Sequence, residues 1–360
     1  MMYQHGGDIY SHPGYLDFSA NINFLGPPAS VLEAVQAAVP EMIHYPQAGN
    51  QRLCRAIAKL EQVGEEQVIC GNGAAEVIFS LVLAEKPKKA LIFAPSFQEY
   101  EQALRSAGCE IVYEYLRPED NFQLKEIPAK LDDSIDMVFF CNPNNPTGIL
   151  TEGIMMKKLL ERCKETETLL AVDECFMDFV PMNGQRHASV KKFLKISDHL
   201  ILIKAFTKSF AIPGLRLGYG VSRNAGVLKR MEAVTQPWNV SVLAQEAGIA
   251  AAEEEFFLEK TRQAVTEEKQ FLLEQLAFLE DKKRFFIDIY GHAANFIFFR
   301  SVSGLGQELI KDKILIRDCS NFPGLCEGWY RLAVRSRSEN EYFIESLKRI
   351  EYLKAEEEHE

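Results

Sequence analysis

Nowhere does this sequence approach the ~18 consecutive apolar residues that a membrane-spanning helix needs. The opening residues, MMYQHGGDIY, have no apolar core of an export signal, so a cytoplasmic protein with no membrane partner is expected. No two cysteines have CxxC spacing. The eight (54, 70, 109, 141, 163, 175, 319 and 326) are scattered, several inside apolar stretches. That argues for reduced core thiols and against zinc, and no metal ligands are assigned. There is no basic run, and the net charge of −11 argues against nucleic acid. With that balance, an anionic substrate needs a local cationic pocket. Internal repeats and low-complexity segments are also missing. What remains is a chain of 360 residues, 47% of them hydrophobic, enough for two packed domains.

The stretch KAFTKSFAIPGLRLGYG, from Lys204 to Gly220, organises the rest. It follows the apolar run from Leu200 to Ile203, which reads as a buried strand. The chain then presents Thr207, Lys208 and Ser209 on a loop, with Arg216 eight residues after the lysine. A lysine just past a buried strand is open to desolvation, which lowers its pKa and makes it a nucleophile. A hydroxyl beside it and an arginine after it form a phosphate clamp. An amine plus a phosphate clamp is what pyridoxal phosphate (PLP) requires. Alone, Lys208 reads as an ordinary solvated lysine; its surroundings decide for the cofactor.

Three further strings agree. The run 68–70 reads as a strand leading through Gly71-Asn72-Gly73-Ala74-Ala75 into a helix from Val77. A glycine turn into a helix N-terminus is an anion site, and its place fits the PLP phosphate through Gly73, Ala74 and Ala75. The apolar run 137–141 enters NPNNPTG, where two prolines and a glycine freeze the loop and let Asn145 hold a fixed donor against the phenolic oxygen. Asp173 ends the buried strand LLAVD, where a carboxylate keeps a pyridine nitrogen protonated; alone, it reads equally as a cap or a structural ion pair. The Gly73 turn, Asp173 and Lys208 each follow a strand's carboxyl end, the edge at which open parallel α/β sheets bind ligands. Later strands are expected over 285–290, 295–299, 314–317 and 330–334, with a closing helix from about Glu339. Together these predict an α/β fold: a large domain on a mainly parallel sheet plus a small α+β domain.

Over nearly its whole length the chain resembles fold-type-I PLP enzymes of the histidinol-phosphate aminotransferase group. Within that group it is most similar to the threonine-phosphate decarboxylases of cobalamin synthesis. The likeness implies that Phe97 stacks on the cofactor ring and that Tyr45 reaches the phosphate in a neighbouring subunit of a homodimer. It also implies that His5, Gly6 and Asn21, in the extended arm HGG…FSANIN, contact substrate alongside Asn145. Arg317 and Arg331, suited to planar anion recognition, are implied to bind a phosphorylated amino acid. Which takes the carboxylate and which the phosphate stays open. The group often has a tyrosine three residues after the strand-end acid; here it is Phe176, which leans away from transamination.

The expected division is an arm over 1–28 that joins the small domain, a large PLP domain over 29–230 and a small domain over 231–360. The implied reaction is decarboxylation of L-threonine O-3-phosphate to (R)-1-amino-2-propanol O-2-phosphate, with Lys208 and Asp173 catalytic. The competing readings are a histidinol-phosphate-type aminotransferase and a serine-phosphate decarboxylase. The aminotransferase-like half of a transcription regulator is disfavoured, because the fold begins by about Asp17 and the charge is acidic.

Overall fold

The computed structural model describes residues 5–182, 188–254, 256–281 and 287–357. Seven strands form the large sheet, in the order Val68–Asn72, Leu217–Val221, Leu200–Ala205, Leu169–Asp173, Met137–Cys141, Lys89–Ala94 and Glu110–Tyr115. Leu217–Val221 runs antiparallel to both neighbours; the other pairs are parallel.

Alternate residues along each central strand enter different cores. Leu170, Val172, Leu200 and Leu202 pack on one face, with the helices Gln51–Glu61, Gly153–Glu165 and Val242–Ala252. Leu169, Ala171, Ile201 and Ile203 pack on the other, with Ala74–Glu85, Gln98–Ser106 and Ala225–Val234. Burial on both faces explains why these strands read as unbroken apolar runs instead of alternating ones. The core under the first face extends past residue 230, because Ala244, Ala247 and Ala251 all belong to it.

A second sheet of four antiparallel strands follows: Arg317–Asp318, Trp329–Ala333, Phe296–Arg300 and Asp288–Gly291. Helices Phe257–Asp281 and Arg337–Glu357 share its core through Leu272, Leu276, Phe343 and Leu347. The N-terminal arm docks here. Leu16–Asp17 pairs in parallel with Ile314–Leu315, and Phe18 is fully buried in the same core. Crossing to the large domain, Asn23 donates its backbone N–H to Lys208 O (3.1 Å) and its side-chain amide to Ser209 O (2.8 Å).

Several local expectations change. Lys208 lies on a single helical turn, Phe206–Ser209, and not on a loop. The helix Ala29–Ala38 has Pro28 at its cap, and the Ser30 hydroxyl donates to Glu254. The helix after the glycine turn starts at Ala74, three residues before Val77. The strand expected over 314–317 is two, Ile314–Leu315 serving the arm and Arg317–Asp318 the four-stranded sheet. The expected strand start at Phe285 lies outside the described residues; the strand begins at Asp288. Among the described residues no helix is long and apolar enough to cross a membrane.

Candidate active site

The large sheet ends its central strands in one row: Cys141 pairs with Asp173 and Asp173 with Ile203. Past that row lies a cavity of about 300 Å³, closed from the other side by the arm and the four-stranded sheet. It is lined by His5, Gly6, Asn21, Ala74, Ala75, Phe97, Asn145, Asp173, Thr207, Lys208, Arg216, Arg317 and Arg331. Residues read from distant parts of the sequence thus meet in one place.

At the inner end, Asp173 accepts a hydrogen bond from Tyr100 Oη at 2.6 Å and from the Cys175 N–H at 2.9 Å. The Tyr100 ring is fully buried, stacked on Phe139 with centroids 4.9 Å apart, and Phe97 packs edge-on against it at 5.7 Å. Burial lowers the Lys208 amine below its ordinary pKa, and Arg216 and Arg331 add to the effect. Desolvation thus acts on Lys208 as its place in the sequence suggested.

Gly73 is not itself in the lining, but it shapes it. Its φ of 82° is open to glycine and costly for other residues. A Cβ there would lie 2.5 Å from a guanidinium nitrogen of Arg216. The turn and the arginine therefore face one small space, which the N-terminus of Ala74–Glu85 also addresses. Its free N–H groups and the Arg216 charge suit a phosphate. Ser209 Oγ, next in sequence to Lys208, is buried without a partner.

At the outer end, Arg331 donates to Asn145 Oδ1 and to Ser19 O (2.8 Å), with its Nε unpartnered. Its guanidinium lies over Phe296, which also packs against Phe176. Arg317 donates to Asp318 O and to Asn321 Oδ1 (2.8 Å). Asn21 is buried and neither end of its amide has a partner. A buried amide left unpaired is costly, so Asn21 offers a donor and an acceptor to whatever binds here. The arm reaches this corner through a tight fit. Gly7 N–H donates to Ser19 Oγ (2.8 Å), and any Cβ on Gly6 would collide with the Ser19 carbonyl. That contact sets His5 at the mouth, half-exposed, its Nδ1 3.6 Å from Glu99 Oε1.

Tyr45 does not join this cavity. It is 79% exposed and stacks on Trp238 at 4.5 Å, beside exposed Met42 and Ile43. Sequence reasoning missed Glu99 and Tyr100. The available signal was their place: they follow Phe97 directly, in the first turn of a helix opening at a strand's carboxyl end.

The aminotransferase class I and II family model matches residues 13–347. The chain belongs to the class I and II aminotransferase family. Within it, the chain is 36% identical to the threonine-phosphate decarboxylase of Salmonella typhimurium, over 96% of both chains. Among solved structures it matches the histidinol-phosphate aminotransferase of Clostridium acetobutylicum with a TM-score of 0.85 at 32% identity, covering 94% of this chain and 99% of that one. The L-threonine-O-3-phosphate decarboxylase of Porphyromonas gingivalis shares the fold, with a TM-score of 0.78 at 24% identity over 93% and 99%. Members of this fold with two chemistries are therefore similar to the chain, and the outer half of the pocket has to distinguish them.

Proposed function

We propose that this chain is a PLP-dependent decarboxylase of L-threonine O-3-phosphate, releasing CO2 and leaving (R)-1-amino-2-propanol O-2-phosphate. The supporting observation is the outer end of the pocket, where the arm's half-exposed His5 meets buried Arg317, Arg331 and Asn145 in one lining. Arg317 and Arg331 are cross-strand neighbours whose guanidiniums hold different partners, so the corner offers two anion grips, matching a substrate with a carboxylate on Cα and a phosphate farther out.

The residues fit the cofactor. Lys208 would anchor it covalently, Asp173 would face the ring nitrogen, Phe97 the ring and Asn145 the phenolic oxygen. Ala74, Ala75, Thr207 and Arg216 would take its phosphate, with Gly73 making room. When bound, PLP supplies an electron sink for the bond broken at Cα. Asp173, held by Tyr100 and Cys175, keeps its charge aimed where that sink needs it. Arg331 and Asn145 take the carboxylate, with Asn21 beside them; Arg317 and His5 take the phosphate. Gripping both charged ends fixes rotation about the Cα bonds, and that rotation selects the bond that breaks. Lys208 Nζ, its pKa depressed, would return a proton to Cα after CO2 departs.

Tyr45, exposed with Met42, Ile43 and Trp238, is assigned to the pocket of a second copy in a homodimer. The free thiols, seven of the eight buried, support a cytoplasmic setting.

The competing activity is amino transfer from histidinol phosphate, which the Clostridium relative keeps in view. Purified holoenzyme should release CO2 and aminopropanol phosphate from threonine phosphate without 2-oxoglutarate, and borohydride should trap the cofactor on Lys208. Efficient 2-oxoglutarate-dependent amino transfer from histidinol phosphate, with no CO2 from threonine phosphate, would overturn the reading. An adduct on another lysine would overturn the site.

A further inference from the structure

The corner where the arm meets Arg317 holds a carboxylate that the reaction above does not use. Glu99 lies in the first turn of Gln98–Ser106 and lines the cavity. Its Oε1 faces His5 Nδ1 at 3.6 Å, while its Oε2 is buried without a hydrogen-bond partner. The charged and titratable groups around it come from four other segments: His5 on the arm, Asp173 at its strand end, Lys208 on the helical turn and Arg317 on the small sheet. Burial, the largest influence, and Asp173 push its pKa up to about 7 against the pull of its own backbone N–H, Lys208 and Arg317. An ionised Glu99 would set a negative charge beside a phosphate held by Arg317 and His5. A neutral carboxyl offers that phosphate a proton to accept, from the one oxygen that lacks a partner.

We propose that Glu99 binds the substrate's phosphate as a neutral acid, its O–H donating from Oε2 to a phosphate oxygen, with the proton taken from solvent as the dianion enters. This deepens the reading of the pocket as a phosphomonoester site and rests on it. One proton is bound at Glu99 per phosphate held. Arg317 answers the charge; burial, Arg317 and Lys208 lower the His5 pKa, so His5 offers the phosphate a hydrogen bond, and Glu99 adds another without opposing the charge. The sign follows directly. Below about pH 7 Glu99 already carries the proton, and binding is strongest. Above it, each binding event must take one up, so the apparent Kd rises with pH by at most about tenfold per unit.

The probe is 3-phosphooxybutanoate, the deamino form of threonine phosphate, which keeps both anions and cannot react as an amine. Calorimetric titration of holoenzyme between about pH 7 and 9, above the phosphate's own pKa of ~6, in buffers of different protonation enthalpy, counts the protons taken up. Comparing variants cancels uptake elsewhere in the pocket. Glu99→Gln keeps a neutral donor, so it should still bind, lose close to one proton of uptake at about pH 8.5, and show a flatter pH dependence than wild type. At that pH it should bind at least as tightly. His5→Asn should bind more weakly yet retain the Glu99 share of uptake. Should Glu99→Gln fail to load cofactor, Glu99→Asp serves instead, with weakened binding and uptake retained. Unchanged uptake in Glu99→Gln, or a tenfold weaker Kd at every pH, would overturn the proposal, as would loss of uptake in Glu99→Asp. An analogue that wild type does not bind would sink the phosphate site itself. If wild type shows the Glu99-dependent uptake but releases no CO2 from threonine phosphate, the reaction assignment fails and this one stands.

Discussion

At the inner end of the pocket both oxygens of Asp173 are partnered, by Tyr100 and Cys175. At the outer end, Asn21 has neither amide atom partnered, and Arg331 Nε and Glu99 Oε2 are likewise buried and open. The inner groups come from strand ends of one sheet, held in register by backbone hydrogen bonds. The outer groups come from the arm, the four-stranded sheet and the loop at Asn145, with Arg331 joining all three through Asn145 and Ser19. The contrast separates a half built on strand ends of one sheet, suited to a resident cofactor, from a half richer in unpartnered polar groups, suited to a transient ligand. Class-wide chemistry belongs to the first and substrate choice to the second.

The comparison breaks most visibly at Asp173. Asp173→Asn preserves volume and one acceptor in a site that is 4% exposed. The fold and cofactor binding should survive, while kcat falls about a hundredfold or more, about 2.7 kcal/mol on the barrier. A loss within about threefold would remove Asp173 from its role at the ring nitrogen. A smaller effect is expected at the outer end. His5→Ala should leave the cofactor absorbance and the Lys208 adduct unchanged and lower kcat/KM for threonine phosphate by roughly tenfold, about 1.4 kcal/mol. The two results sharpen the division only if the first changes kcat and the second mainly KM.

The same division governs what could be read from the sequence. Lys208, Asp173, Asn145 and the Gly73 turn each sit in a short string whose local structure is dictated nearby, by an apolar strand, a pair of prolines or a glycine. They were legible one at a time. Arg317 and Arg331 could be nominated, but their separate partners depend on pairing across the small sheet, where Arg317 lies opposite Arg331. The expected single strand over 314–317 failed for that reason: two sheets compete for four residues, and only tertiary pairing divides them. Lys208 reads as a loop residue because a four-residue turn is too short to show helical periodicity. Glu99 was invisible because a glutamate in the first turn of an amphipathic helix reads as an ordinary exposed position. In the fold it lines the pocket instead, with Oε2 buried.

The most direct test of this division is removal of residues 1–7 from the holoenzyme, which takes away His5 and the Gly6–Gly7 contact with Ser19 and leaves every inner residue in place. CO2 release from threonine phosphate at subsaturating concentration should fall by about tenfold or more, while cofactor absorbance and the borohydride-trapped adduct on Lys208 persist. Unchanged CO2 release, or loss of the cofactor along with the arm, would contradict it.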